Sequence, residues 1–235
     1  MNNELLLIIS TIFIYSSVVL FYRFLGKNGL YCWTVLATLA ANIEVLIVVD
    51  AFGMEQTLGN ILFASTFLVT DILSEIYGKK SAQKAVNIGI MCSIVFIIIT
   101  QTWLLYTPNQ NDLASEHIRF IFSNTPRLML SSIAVYAIVQ VFDVFIYHAI
   151  WNKTTKLCND SKKYLWLRNN ASTMTSQFLN TFLYTFAAFY GTYKIDTLFN
   201  IIISTFVIYI FTSLFDTPAL YIARRISYKI EDKNI

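Results

Sequence analysis

The stretch Leu68-Val-Thr-Asp71-Ile-Leu73 places a carboxylate in the middle of an apolar run. Two later stretches repeat the arrangement, Gln140-Val-Phe-Asp143-Val-Phe145 and Ser213-Leu-Phe-Asp216-Thr-Pro218. An ionised carboxylate at the centre of a bilayer costs about 2.5 to 3.5 kcal/mol on insertion scales, so such residues usually face a bundle interior or a water-filled cavity. The three aspartates therefore predict a buried polar site in a membrane protein.

The composition favours the same class of protein. Of the 235 residues, 56% are hydrophobic and only 13% are charged, which is too apolar for an ordinary soluble domain and predicts one polytopic domain over residues 1–235. The basic residues form no patch interleaved with aromatic residues, so direct binding to nucleic acid is not expected. Cys32, Cys92 and Cys158 lack the spacing of metal ligands, so no metal site is predicted.

Seven windows are long and apolar enough to cross a bilayer as helices, because about 20 apolar residues span its hydrocarbon core. They are residues 4–22, 31–51, 57–77, 85–106, 128–150, 171–190 and 198–222. The predicted fold is an all-α integral membrane protein, a bundle of seven transmembrane helices in which a six-helix core carries one added helix.

The basic residues set the predicted orientation. All of the 17 lysines and arginines except Arg119, Arg127 and Lys194 fall on one side of a seven-span bundle, which places the N-terminus outside and the C-terminus in the cytoplasm. Each aspartate then precedes the first cytoplasmic basic residue by eight to ten positions, so the three lie at one depth, about 12 to 15 Å from that side. The alternative is that each carboxylate is hydrated separately at the interface.

Polar side chains also recur inside other predicted spans. Asp71 and Glu75 share a helical face, and two carboxylates so close repel, so one takes up a proton or pairs with a cation such as Arg168. The alternative for Glu75 is an interfacial charge beside Lys79. In the sixth span one face carries Thr173, Ser176, Gln177, Asn180 and Tyr184. That face lines a cavity, supplies hydrogen bonds between helices, or does both.

The run Phe63-Ala-Ser-Thr-Phe-Leu-Val-Thr-Asp-Ile-Leu-Ser-Glu-Ile-Tyr-Gly-Lys-Lys80 resembles the signature of the queuosine precursor transporter family, also described as a vitamin uptake transporter family. The resemblance covers residues 40–221. One departure is that the family's last helix often has a lysine about two turns before its proline, whereas residues 204–218 contain none. Three further stretches agree in order: Asn124-Thr-Pro-Arg127 leading to Ser131, Tyr136, Gln140 and Asp143; Leu167-Arg-Asn-Asn-Ala-Ser-Thr173 leading to Gln177 and Asn180; and Asp216-Thr-Pro-Ala-Leu-Tyr221.

The resemblance implies a transporter, not an enzyme, in the bacterial cytoplasmic (inner) membrane. It would import a 7-deazaguanine, such as 7-cyano-7-deazaguanine or 7-aminomethyl-7-deazaguanine, for tRNA modification, and needs no cofactor. The donors at N1 and the exocyclic amine of that base suit a carboxylate, and the acceptor O6 suits an amide or hydroxyl. Candidate substrate-binding residues are Asp71, Asp143, Gln140, Gln177, Asn180, Asn42, Thr173 and Tyr136.

Two other functions stay open at this point. One is a carrier or substrate-binding component for another small vitamin. The other, less favoured, is an intramembrane enzyme that uses Asp71 and Asp143 as paired carboxylates.

The energy source is also open, because the chain lacks a phosphate-binding loop of the G-x-x-x-x-G-K-[ST] type. Either an energy-coupling module or a homo-oligomer is a partner, or a solitary carrier uses buried carboxylates to accept a proton. Candidates for proton or charge coupling are Glu75, Asp216 and Arg168, with Asp71 and Asp143 beside them.

Overall fold

The computed structural model describes residues 2–123 and 126–231, and over these ranges the fold is helical apart from one small hairpin. The predicted all-α character is thus confirmed. The elements are α1 (Asn3–Glu44), β1 (Val48–Ala51), β2 (Met54–Thr57), α2 (Gly59–Tyr77), α3 (Lys79–Trp103), α4 (Ser115–Ser123), α5 (Pro126–Cys158), α6 (Leu165–Phe189) and α7 (Ile195–Glu231).

Helix α1 consists of two halves that fold back on each other. Gly26 breaks the helix with φ 59° and ψ −140°, a conformation that glycine adopts without steric cost. The rings of Phe21 and Trp33 are 5.3 Å apart, whereas twelve residues of straight helix would separate them by about 18 Å. At the far end, Asn3 Nδ2 donates to the Asp50 carbonyl at 2.9 Å. The two halves correspond to the predicted windows 4–22 and 31–51.

The predicted end of the second window is wrong. The helix ends at Glu44, and Val48–Ala51 instead pairs antiparallel with Met54–Thr57, so that the next helix begins at Gly59 and not at residue 57. Phe52 and Gly53 both have positive φ values, 54° and 72°, as a two-residue type I′ hairpin turn requires. An apolar window cannot detect this turn, because Phe52 itself is apolar.

Five helices of the described chain are long and apolar enough to cross a membrane, namely α1, α2, α3, α5 and α7. Helix α6 has 25 residues but is not among them, because Arg168, Asn169 and Asn170 and a polar face lower its hydropathy. Most of the helices are also longer than the windows predicted for them. The windows 85–106, 128–150, 171–190 and 198–222 correspond to α3, α5, α6 and α7, which begin before them in each case.

Helix α2 occupies the centre of the bundle and positions the polar site. It packs against α1, α3, α5, α6 and α7, and 78% of its most apolar window is buried. Leu68, Val69, Ile72 and Leu73 belong to the main hydrophobic core. Any polar side chain on α2 is therefore held inside protein and away from lipid, which is where Asp71 lies.

Candidate functional site

The structure brings together the three aspartates on which the sequence analysis began. Asp71 on α2, Asp143 on α5 and Asp216 on α7 are each no more than 1% exposed. Asp71 lies within electrostatic reach of both other carboxylates. We call these three residues the aspartate layer.

The aspartate layer has few hydrogen-bond partners. Thr173 Oγ1 donates to Asp71 Oδ2 at 3.3 Å. Within the described ranges, Asp71 Oδ1 and both carboxylate oxygens of Asp143 and Asp216 have no partner. The Ser176 hydroxyl lies near Asp143 and the Tyr15 hydroxyl near Asp216, but neither reaches hydrogen-bonding geometry. Because buried polar groups are nearly always paired, these free acceptors require a functional explanation.

Two glutamines flank the layer in different ways. Gln140 Nε2 donates to Thr66 Oγ1 at 2.6 Å, and Gln140 Oε1 accepts from Thr70 Oγ1 at 3.4 Å. The amide of Gln140 therefore joins α5 to α2 and is already engaged. Gln177 on α6 is fully buried, yet neither its Oε1 nor its Nε2 has a partner in the part of the chain described.

Glu75 and Arg168 form an ion pair one helical turn beyond the aspartate layer. Arg168 Nη2 lies 2.6 Å from Glu75 Oε2 and 2.8 Å from Oε1, and Tyr147 donates its hydroxyl to Oε2 at 2.9 Å. The guanidinium also stacks 4.3 Å from the centroid of the Trp151 ring, and Arg224 Nε approaches Oε1 to 3.5 Å. These five residues, the ion-pair cluster, connect α2, α5, α6 and α7.

The ion-pair cluster shows which cation Glu75 contacts. The Glu75 side chain is 5% exposed and that of Arg168 is fully buried. Glu75 is therefore paired with Arg168, the cation named for it in the sequence analysis. The planar, bidentate geometry is one that arginine forms with carboxylates and lysine does not.

A cleft opens between the helices near the start of α2. The centre of a water-sized sphere fits in about 60 Å³ of this cleft, and the empty space reaches about 550 Å³ only when the open mouth is included. Its lining consists of Thr38, Ala41, Asn42, Val45, Gly59, Asn60, Phe63, Ser93, Ser132, Ile133, Tyr136, Asn180, Tyr184 and Tyr209.

The cleft contains only part of the predicted substrate-binding set. Asn42, Tyr136 and Asn180 line it, whereas Asp71, Asp143, Gln140, Gln177 and Thr173 do not. The sequence analysis missed six polar or aromatic lining residues, Thr38, Asn60, Phe63, Ser93, Ser132 and Tyr209. A signal for two of them was present, because Asn60 and Phe63 precede Phe67 and Asp71 at helical spacing on one face of α2.

The cleft is lined by uncharged groups alone among the described residues. Asn42 Nδ2 donates to the Thr38 carbonyl at 2.7 Å, and the Tyr209 hydroxyl donates to Asn60 Oδ1 at 3.3 Å. The Phe63 and Tyr136 rings pack edge to face at 5.9 Å. Amides and hydroxyls beside aromatic rings suit a planar, neutral ligand with hydrogen-bonding edges.

Cleft, aspartate layer and ion-pair cluster follow one another along the bundle. On α2, Phe63 precedes Asp71 by about 12 Å of helix axis, and Glu75 follows. On α6, which runs the other way, Asn180 lines the cleft, Thr173 contacts Asp71 and Arg168 binds Glu75.

The remaining motif residues connect helices. Asn169 and Asn170 donate to Thr217 Oγ1 at 3.3 and 2.7 Å, so the motifs of α6 and α7 are in contact. Arg127 donates to the carbonyls of Ala187 and Tyr190 at 3.0 and 2.7 Å and so caps the end of α6. Asn124 and Thr125, the first residues of that motif, lie outside the described residues.

Comparison with known proteins agrees with the resemblance seen in the sequence. Residues 57–223 match the model of a family described as "Putative vitamin uptake transporter". A protein of Bacillus subtilis (strain 168) named "Probable queuosine precursor transporter" is 38% identical over 208 residues, which are 88% of this chain and 89% of that protein. No solved structure matches the chain. The chain is a multi-pass membrane protein that belongs to the vitamin uptake transporter family.

Proposed function

We propose that this protein imports a queuosine precursor, a 7-deazaguanine base, across the bacterial cytoplasmic membrane. The relative from Bacillus subtilis suggests the substrate. The observation that carries the proposal is the uncharged lining of the cleft, in which three asparagines and three tyrosines offer hydrogen-bonding groups and aromatic surface to a planar base.

The base would bind through its edge and its faces. Because Asn42 Nδ2 is engaged by the Thr38 carbonyl, Asn42 Oδ1 is the atom that can accept from N1–H or the exocyclic amine. The Nδ2 group of Asn180 can donate to O6. Tyr136 and Phe63 supply aromatic surface for the ring. The aspartates lie deeper and would not contact a base held in this cleft.

For transport, we place the N-terminus outside and the C-terminus in the cytoplasm, with seven crossings made by the two halves of α1 and by α2, α3, α5, α6 and α7. The cleft then faces outward, and the ion-pair cluster closes the cytoplasmic end. Release of the base inside requires Arg168 to separate from Glu75, because their contact joins α6 to α2 across the path.

The proposal is tested by calorimetric titration of purified protein in detergent with 7-cyano-7-deazaguanine. We expect binding that weakens about tenfold in Asn180→Ala, because a lost hydrogen bond to a buried ligand costs roughly 1 to 3 kcal/mol. The matched control is Thr175→Ala, because Thr175 is an exposed residue of the same helix and donates to the Ala171 carbonyl. The proposal is contradicted if the folded wild-type protein binds no deazaguanine, or if the Asn180→Ala variant binds it as tightly as the wild type does.

A second candidate is a carrier for another small vitamin, because the family description names vitamins in general and amides and tyrosines can bind other neutral heterocycles. Competition titrations with guanine, biotin and the aminomethyl base separate the two. The carboxylate enzyme is not proposed, since Asp71 and Asp143 are absent from the lining of the cleft.

A further inference from the structure

We propose that the aspartate layer takes up one proton from the outer side with each base imported and releases it to the cytoplasm. The protein would then be a proton-driven carrier that accumulates its substrate without an ATPase partner. This inference rests on the proposed function and adds its energy source.

The first argument is the charge of the layer. Three carboxylates lie within one another's electrostatic reach and are at most 1% exposed. Within residues 2–123 and 126–231, the ion pairs formed by Arg168 and Arg224 go to Glu75 and not to the layer. Like charges in apolar surroundings repel and cannot all stay ionised. The layer is therefore stable only when a bound proton or another cation offsets part of its negative charge.

The second argument is independent of the carboxylates. Ser176 Oγ lies near Asp143, Gln177 is the next residue of α6, and both side chains are fully buried with no partner for Ser176 Oγ or for either amide atom of Gln177 within the described ranges. Such atoms are expected to have partners in a folded protein. A hydroxyl and an amide next to free carboxylate oxygens can hydrogen-bond a protonated carboxyl, or a water that carries the proton to it.

The arrangement favours a proton over a metal ion. In the described part of the chain, no three acidic, histidine or cysteine side chains converge closely enough to hold a metal. A proton needs only one carboxylate, and the layer offers three, one each from α2, α5 and α7.

The surrounding groups leave the charge of the layer to the aspartates. The titratable and charged neighbours are Tyr15 from α1, Glu75 from α2, Tyr147 from α5, Arg168 from α6 and Tyr209 from α7, with His148 of α5 and Arg224 of α7 beside Glu75. Cys92 of α3 lies near Tyr136 of the cleft. Tyrosines are neutral at physiological pH, and Arg168 and Arg224 both pair with Glu75 and not with the layer, so the charge of the layer changes when an aspartate takes up a proton.

The test uses the full chain in liposomes without ATP or other proteins, with radiolabelled 7-cyano-7-deazaguanine as the probe. With pH 7.5 inside and pH 6.0 outside, we expect accumulation up to about 30-fold, because each pH unit is worth a factor of ten for one proton. A protonophore should abolish the accumulation. The variant Asp143→Asn should lose at least nine-tenths of it, whereas Asp196→Asn, an exposed aspartate at the start of α7, should not.

The other outcomes overturn the inference in distinguishable ways. Exchange of labelled for unlabelled base that ignores the pH gradient would show an uncoupled carrier or one that needs a partner module. Accumulation driven by a sodium gradient at equal pH would assign the layer to sodium. Absence of both exchange and binding would overturn the proposed function together with this inference. The wild-type measurements need no variant, so misfolding of Asp143→Asn does not affect them.

Discussion

Arg168 binds Glu75 through two nitrogens, stacks on Trp151 and donates to the Lys163 carbonyl at 2.9 Å. Removal of one partner from a buried pair leaves an uncompensated charge and costs about 3 to 5 kcal/mol. We therefore expect Arg168→Met to lower the stability by that amount. The double variant Glu75→Gln with Arg168→Met should recover much of the loss, because it buries no charge.

Chemical denaturation in detergent, followed by circular dichroism, measures both effects. The control is Arg119→Met, since Arg119 is exposed and donates to the Tyr106 carbonyl, and a change within about 0.5 kcal/mol is expected for such a surface residue. If Arg168→Met is as stable as the wild type, the ion pair does not hold the cytoplasmic end together.

For single residues, the sequence predicts the buried charged side chains better than it predicts the lining of the cleft. The common depth of Asp71, Asp143 and Asp216 is predicted from their distance to the basic residues that follow their spans, because charge is costly in lipid and leaves a clear pattern. The cleft leaves no such pattern. Its neutral lining comes from several helices, and residues such as Ser93 and Tyr209 look like ordinary parts of a span until the helices are packed.

Helix α3 lies directly against the Tyr136 ring of α5 at Gly89. A β-carbon at this position would lie 3.0 Å from Cζ of Tyr136 and even closer to its hydroxyl. We expect Gly89→Ala to displace the Tyr136 ring and to weaken base binding about tenfold, with little loss of helix content. Because overpacking typically costs about 1 to 3 kcal/mol, an effect of this size is consistent with the contact.

Calorimetric titration of three variants tests this contact. Tyr136→Phe removes the hydroxyl that lies nearest to the new β-carbon. Gly89→Ala should therefore weaken binding less when it is added to Tyr136→Phe than when it is added to the wild type. Unchanged binding by Gly89→Ala would mean that Tyr136 does not position the base.

Helix boundaries were predictable only where apolarity marks them. Apolar windows locate α5 and α7 but end before these helices do, because the basic segments that extend both helices are polar. The second window runs past Glu44 for the opposite reason. Its apolar residues continue into β1, and only the backbone at Phe52 and Gly53 turns them into a hairpin.

For the whole molecule, the distribution of basic residues predicts which ends face the cytoplasm. Two variants suffice to test it. Replacement of Cys32 and Cys92 by serine leaves Cys158, which is exposed at the end of α5. Replacement of all three cysteines, together with Gln110→Cys, places a thiol in the exposed loop between α3 and α4.

In intact cells, a membrane-impermeant maleimide should label Gln110→Cys and should reach Cys158 only after the membrane is opened. The variant without cysteine is the control for background labelling. The opposite pattern would invert the molecule, so that the cleft would open to the cytoplasm and the predicted orientation would be wrong.

Helix α6 also affects how the chain enters the membrane during synthesis. The buried residues of α6 are mostly polar, among them Asn169, Gln177 and Asn180, and Arg168 lies in its first turn. Polar and charged side chains weigh against insertion of a segment as a membrane helix. Alone, this segment would tend to pass through the insertion machinery without stopping. Its retention in the membrane therefore depends on α5 and α7, which in the folded protein supply partners for Arg168, Asn170 and the C-terminal end of α6. The polar interior needed for transport thus makes insertion of this bundle cooperative.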